Sequence, residues 1–315
     1  MIPALMGIHP ITALLSALGV LTAIFIAGWA RVVMAVRSLG DRGDSPASDA
    51  RVPTPTMIGI GAVTNFFDAL GIGSFATTTA IWRFLKMVPD RVIPGTLNAG
   101  HTLPTITQAF IFTSIIPVDI LTLFAMIAAA VAGGWLGAGI VSGWPKRKVQ
   151  IGMGVALLVF ATLQLMTNLE LFPGGGDARG VRGVLLGVAV IGNFALGALM
   201  TLGIGLYAPC MIMVSLLGMN PTAAFPIMMN SCAFLMPVGS LRFIREQSYS
   251  LRAALGLAIG GVPGVLLAAY VVKQLDLVTV RWLVIVVVVY TAVTMIASAM
   301  SDRGEDSPTP QRARV

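Results

Sequence analysis

Leu70-Gly71-Ile72-Gly73 stands near the middle of an apolar stretch, and Leu202-Gly203-Ile204-Gly205 stands in a second one 132 positions later. Laid on each other without a gap, the two copies agree beyond the tetrapeptide. Ala76 falls on Ala208, Leu85 on Leu217, Met87 on Met219, Pro89 on Pro221, Pro94 on Pro226 and Asn98 on Asn230. Ten of the 29 positions from Leu70 to Asn98 are identical, which identifies an internal repeat. Further on, Gly133-Gly134-Trp135-Leu136-Gly137 is echoed by Gly260-Gly261-Val262-Pro263-Gly264 at an offset of 127, so the second copy is five residues shorter between the two marks.

The composition decides the class. Apolar residues make up 57% of the chain and charged residues 10%, and several apolar runs exceed the ~18 residues that a membrane helix needs. The expected fold is therefore an all-α polytopic membrane protein. The net charge of +7 lies in short loops between apolar segments, which argues for the positive-inside rule and against nucleic acid as a partner. The only two cysteines, Cys210 and Cys232, both fall inside apolar segments, so a disulfide framework is not expected.

Met57 to Lys86 as one helix would reach about 45 Å, well beyond a hydrocarbon core of about 30 Å. Gly71 and Gly73 divide it into two short arms, and a broken-helix hairpin fits better than one span. Spans over about 93–116, 119–141 and 148–168 follow. The second copy repeats the scheme with a broken hairpin over 181–217 and spans over 224–244, 251–272 and 279–299. The organisation is thus an extra N-terminal membrane helix within 1–37, a cytoplasmic linker at 38–56, a first repeat at 57–168, a second repeat at 181–299 and a disordered cytoplasmic tail at 300–315.

A hairpin and three spans reverse sidedness, so the two repeats are inverted relative to each other. With the linker inside, 16 of the 20 Lys and Arg residues fall on the cytoplasmic side, and only Arg179, Arg182, Lys273 and Arg281 fall outside. The N-terminus is then external and the C-terminus cytoplasmic.

Inverted repeats with broken helices are the architecture of secondary transporters, with the substrate near the midplane between the repeats. Each helix that restarts after a Gly-x-Gly presents unpaired N–H groups and a positive dipole end, a setting for an anion. The expected substrate site is Gly71, Ile72, Gly73, Ser74 and Phe75 at one tip, and Gly203, Ile204, Gly205, Leu206 and Tyr207 at the other. The competing explanation of the glycines is tight helix packing.

From these residues the chain resembles the TauE/SafE sulfite-exporter family, also called the toluene-sulfonate uptake permeases. Gly71-Ile72-Gly73, Pro89 and Gly95-Thr96 carry the resemblance in the first half, and Gly203-Ile204-Gly205 and Pro221 in the second. It extends over about residues 57–299. It implies transport of sulfite, organosulfonates or related small anions, with a carboxylate or another small organic anion as the alternative, in the inner membrane of a bacterium. Ser74-Phe75 and Leu206-Tyr207 replace further glycines of the family pattern. The aromatic pair Phe75 and Tyr207 then flanks the site and narrows it, or favours a substrate with an apolar part.

Other residues complete the expectation. Asn98 and Asn230 are equivalent and either donate to the anion or brace the tips. Asp68 and His101 are the proton-coupling candidates: an acid at membrane depth is costly, and His101 titrates near neutrality. The structural alternative is a hydrogen bond of Asp68 with His101 or Asn65. Neither candidate has a counterpart, since Met200 and Ala233 stand at the equivalent positions. A thiol enzyme using Cys210 and Cys232 is the rival from another class, although cysteine in such segments behaves as a small apolar residue. The chain has no Gly-x-x-x-x-Gly-Lys-Ser/Thr sequence, so a gradient is the expected driving force. No metal, no cofactor and no enzymatic activity is expected. The expected partners are the small anionic substrate and the lipid bilayer, and a homodimer is compatible with the sequence.

Overall fold

A computed structural model describes residues 10–38, 46–49, 51–171, 175–202, 205–271 and 277–301. Gly203, Ile204, Lys273, residues 1–9, residues 39–45 and 50 of the linker and the tail from 302 onward lie outside the described residues. The described chain is nearly all helix: α1 (Pro10–Ser38), α2 (Pro55–Ala69), α3 (Ser74–Leu85), α4 (Ile93–Ile115), α5 (Ile120–Val141), α6 (Lys146–Asn168), α7 (Gly183–Met200), α8 (Tyr207–Leu216), α9 (Ala224–Arg245), α10 (Leu251–Val271) and α11 (Leu277–Ser301). Six helical stretches among the described residues are long and apolar enough to cross a membrane, and the chain is a multi-pass membrane protein. α4 is not one of the six. It has the length, 23 residues, but Asn98, His101, Thr102, Thr105 and Gln108 lower its hydropathy, and all five side chains are buried.

The break between α2 and α3 follows from local chemistry. The N–H of Gly71 donates to Asp68 O at 2.9 Å and that of Ile72 to Phe67 O at 3.2 Å. This pair of bonds is the Schellman closure of a helix, with Gly71 in the positive-φ position at +84°. Gly73 follows at φ +89°, ψ 126°, a conformation that side chains disfavour, and starts α3. The arms are unequal between the halves. α2 has 15 residues, about 22 Å, whereas α7 has 18, about 27 Å, which by length and composition suffices for a crossing.

α4 and α9 cross at the centre. α2 lies along α10 and α5 along α7, while α5 also packs on α9, α10 on α4 and α6 on α11. Exchanging α2–α6 for α7–α11 in order maps this set of packed pairs onto itself. α1 stands outside this pattern, packed on α9 and α4 through Leu14, Leu18, Phe25 and Trp29.

The glycine echoes sit where backbones touch. A Cβ on Gly260 would land on the Ile58 carbonyl, and one on Gly264 on the Ala62 carbonyl. In the other half, Cβ atoms on Gly133 and Gly137 would meet the carbonyls of Phe194 and Ala198. Small residues let two membrane helices approach to this distance, where dispersion between backbones holds them.

The connecting loops gather at two ends. At one, Arg182 binds the Asp119 carboxylate through two nitrogens at 2.5 and 2.6 Å, and Asp119 also caps α5 by accepting from Thr122 N at 2.9 Å. The guanidinium holds the Asp119 carboxyl well below the usual carboxylate range. Asn220 N donates to Ala178 O in the same layer. At the other end, Arg83 pairs with Asp90, Gln150 donates to Asp90 at 2.9 Å, and Arg252 donates to Val52 O at 3.0 Å.

Candidate functional site

The two helix breaks come together. Gly73, Ser74 and Phe75 of the first tip and Gly205, Leu206 and Tyr207 of the second line one narrow cavity. Asp68, Thr105, Met200 and Cys232 complete its wall. The space is about 10 Å³, of the order that one water needs. No Lys or Arg lines it. Phe75 and Tyr207, equivalent in the repeat, are both buried and both line the cavity. Gly71 and Ile72 shape the break but do not line it.

The first tip is not bare. Ser74 N donates to Asp68 Oδ1 at 2.5 Å, so a carboxylate of the chain itself sits where the helix dipole favours an anion. Asp68 Oδ2 accepts from Gln108 Nε2 at 2.8 Å, and Gln108 Oε1 accepts from the Tyr207 hydroxyl at 2.7 Å. One hydrogen-bonded line thus runs from the α3 tip through α4 to the α8 tip. Among the described residues the second tip has no such occupant: the equivalent of Asp68 is Met200, and Leu206 before α8 makes no side-chain cap.

This corrects the expected partner of Asp68, which is neither His101 nor Asn65. His101 is fully buried on α4, about two turns before Gln108. Its Nδ1 lies 3.0 Å from Asn65 Oδ1 and its Nε2 3.2 Å from Thr78 Oγ1. Its ring packs on Phe75 with centroids 5.5 Å apart, and it does not line the cavity.

Asn98 and Asn230 also stand away from the cavity. The Asn98 amide donates to Pro94 O at 2.9 Å. The Asn230 amide donates to Pro226 O at 2.7 Å and to Thr113 Oγ1 at 2.5 Å, bridging α9 to α4. Each amide back-bonds its own helix one turn earlier because a buried donor needs the nearest acceptor. Cys232 lies 3.5 Å from the Met200 sulfur, and both cysteines are free and buried.

Gln108 is the residue that sequence reading passed over. Its spacing carries no motif, because its two partners lie 40 and 99 positions away.

Residues 184–315 match the family model described as sulfite exporter TauE/SafE. The match covers the second half, with the second tip, and stops short of the first. Comparison with curated proteins and with solved structures finds no match.

Proposed function

We propose that this chain, whose second half carries the sulfite-exporter match, is a secondary transporter of sulfite or an organosulfonate in the inner membrane of a bacterium. One observation carries the reading: both helix breaks open onto the same cavity, which no Lys or Arg lines. Backbone N–H groups and a helix dipole then supply the positive potential without a permanent charge that would have to be desolvated. The exchange symmetry of the packed helices supports two repeats placed about a central axis, as alternating access requires. Sulfite has four heavy atoms and exceeds a water-sized space, so the tips part to admit it, with Gly71 and Gly73 taking up the change in backbone angle.

A thermal-shift screen of purified protein tests this against sulfite, methanesulfonate, sulfate and small carboxylates, since a ligand that binds only the folded state raises its melting point. Sulfite and the sulfonate should shift it most. A carboxylate that shifts it while both sulfur anions do not would reassign the substrate.

The end that carries Arg83, Arg147 and Arg252 is cytoplasmic in this reading, and the end with Asp119 and Arg182 is external. A single cysteine at position 218 should react with an impermeant maleimide in intact cells, and one at position 147 only after lysis. The reverse pattern would overturn the assigned orientation.

A further inference from the structure

We propose that Asp68 takes up one proton with each bound anion, and that the Gln108 amide passes this event on to Tyr207 by turning over. The inference rests on the cavity between the tips being the anion site.

An ionised carboxylate only accepts hydrogen bonds. Gln108 must therefore turn its NH2 toward Asp68 Oδ2, as the 2.8 Å contact requires. Its Oε1 is left for Tyr207, whose single hydroxyl hydrogen is committed to it at 2.7 Å. Ser74 N–H is committed to Oδ1. In this state the charge of Asp68 holds the donors of both walls, directly at Ser74 and through Gln108 at Tyr207. An entering anion would meet a like charge at 3% exposure with no cation in the cavity wall.

A proton on Oδ2 reverses the line. Asp68 becomes a donor there and needs an acceptor. A half-turn of the Gln108 amide offers Oε1 to Asp68 and Nε2 to the Tyr207 oxygen. The Tyr207 oxygen now accepts, and its hydrogen is free to point into the cavity. The neutral carboxyl is a weaker acceptor, which frees Ser74 N–H as well. Both donors face the anion only when the like charge is gone. The proton comes from water and returns to it on release. No other bond is made or broken, and a monoanion crosses with no net charge.

The other titratable groups near Asp68 do not serve. Tyr207 on α8 is engaged as a donor to Gln108, and Cys210 on α8 and Cys232 on α9 are free, buried thiols. Both nitrogens of His101 on α4 are occupied by Asn65 and Thr78. The second tip carries Met200 in place of an acid, so the device belongs to the first half alone.

Calorimetry of the full chain with methanesulfonate, whose charge is fixed near neutrality, reads this directly. Titration in two buffers of different ionisation enthalpy should give about one proton taken up per anion, and Kd should fall about tenfold per pH unit on acidification while Asp68 is ionised in the free protein. Asp68→Asn should bind with no proton uptake and a flat pH profile. Tyr207→Phe should lose affinity at acid pH and little at alkaline pH.

Binding by the unmodified protein with no proton uptake overturns the inference and leaves the transporter reading intact, whether or not Asp68→Asn folds. An equal loss in Tyr207→Phe across the pH range overturns the role of Gln108. No binding by folded parent or folded Asp68→Asn at any pH overturns the anion site itself.

Discussion

Gly73→Val and Gly205→Val each lose measurable binding of sulfite and methanesulfonate, for different physical reasons. At Gly73 the backbone sits at φ +89°, ψ 126°, outside the regions open to a β-branched residue. Holding a side chain there costs on the order of 1–3 kcal/mol. The new Cβ would sit in ordinary contact 3.4 Å from the Phe160 ring of α6, so it is the backbone conformation that opposes the side chain. The break relieves this strain by moving Ser74, and with it the N–H that faces Asp68.

At Gly205 the obstacle is different. A Cβ there meets nothing within 4 Å. Gly205→Val therefore adds its side chain without a clash and fills the open space beside the cavity that the anion must enter. Leu163→Ala, on α6 and half-buried away from both tips, serves as the control and keeps the parent affinity. Calorimetry on folded, monodisperse protein checks all three. If both valine variants bind within threefold of the parent, the tips do not hold the anion.

The second large effect concerns assembly of the bundle. Gly260→Ala and Gly133→Ala add one methyl group each, and each methyl falls on a backbone carbonyl of the facing helix. Neither partner can move aside as a side chain would, so the helices must separate along their length. Overpacking costs typically 1–3 kcal/mol where side chains can yield, and here we expect about 3 kcal/mol or more. The measurement is thermal unfolding in detergent. Gly59→Ala, on the exposed face of α2 with nothing within 4 Å of its new Cβ, separates packing from propensity and should melt at or above the parent temperature. If Gly260→Ala melts with the parent, α2 and α10 do not touch as described.

The equivalence of Gly260 with Gly133 shows how far the sequence reaches. The repeat marked both glycines before any helix was placed, and the structure gives them the same task at the α2–α10 and α5–α7 contacts. Membrane class, the extra first helix and the break after Leu70 were legible for the same kind of reason. Apolar run length and the backbone freedom of glycine are properties of neighbouring residues, and they act whatever the rest of the chain does.

The contents of the site were not legible in this way. Asp68 was singled out because an acid in an apolar run is costly, but its relief comes from Ser74 across the break and from Gln108 on another helix. His101 and Asp68 read as natural partners from residue type, yet His101 lies about two turns from Gln108 along α4, so His101 meets Asn65 and Thr78 while Gln108 meets Asp68. Asn98 and Asn230 kept their equivalence and turned to the backbone and the α4–α9 crossing. A buried polar group bonds whatever the packed helices bring within about 3 Å. The sequence shows that only the first tip has an acid beside it, but that choice of partner is set by helix placement and crossing, and so only the tertiary structure decides that Asp68 bonds Ser74 and Gln108.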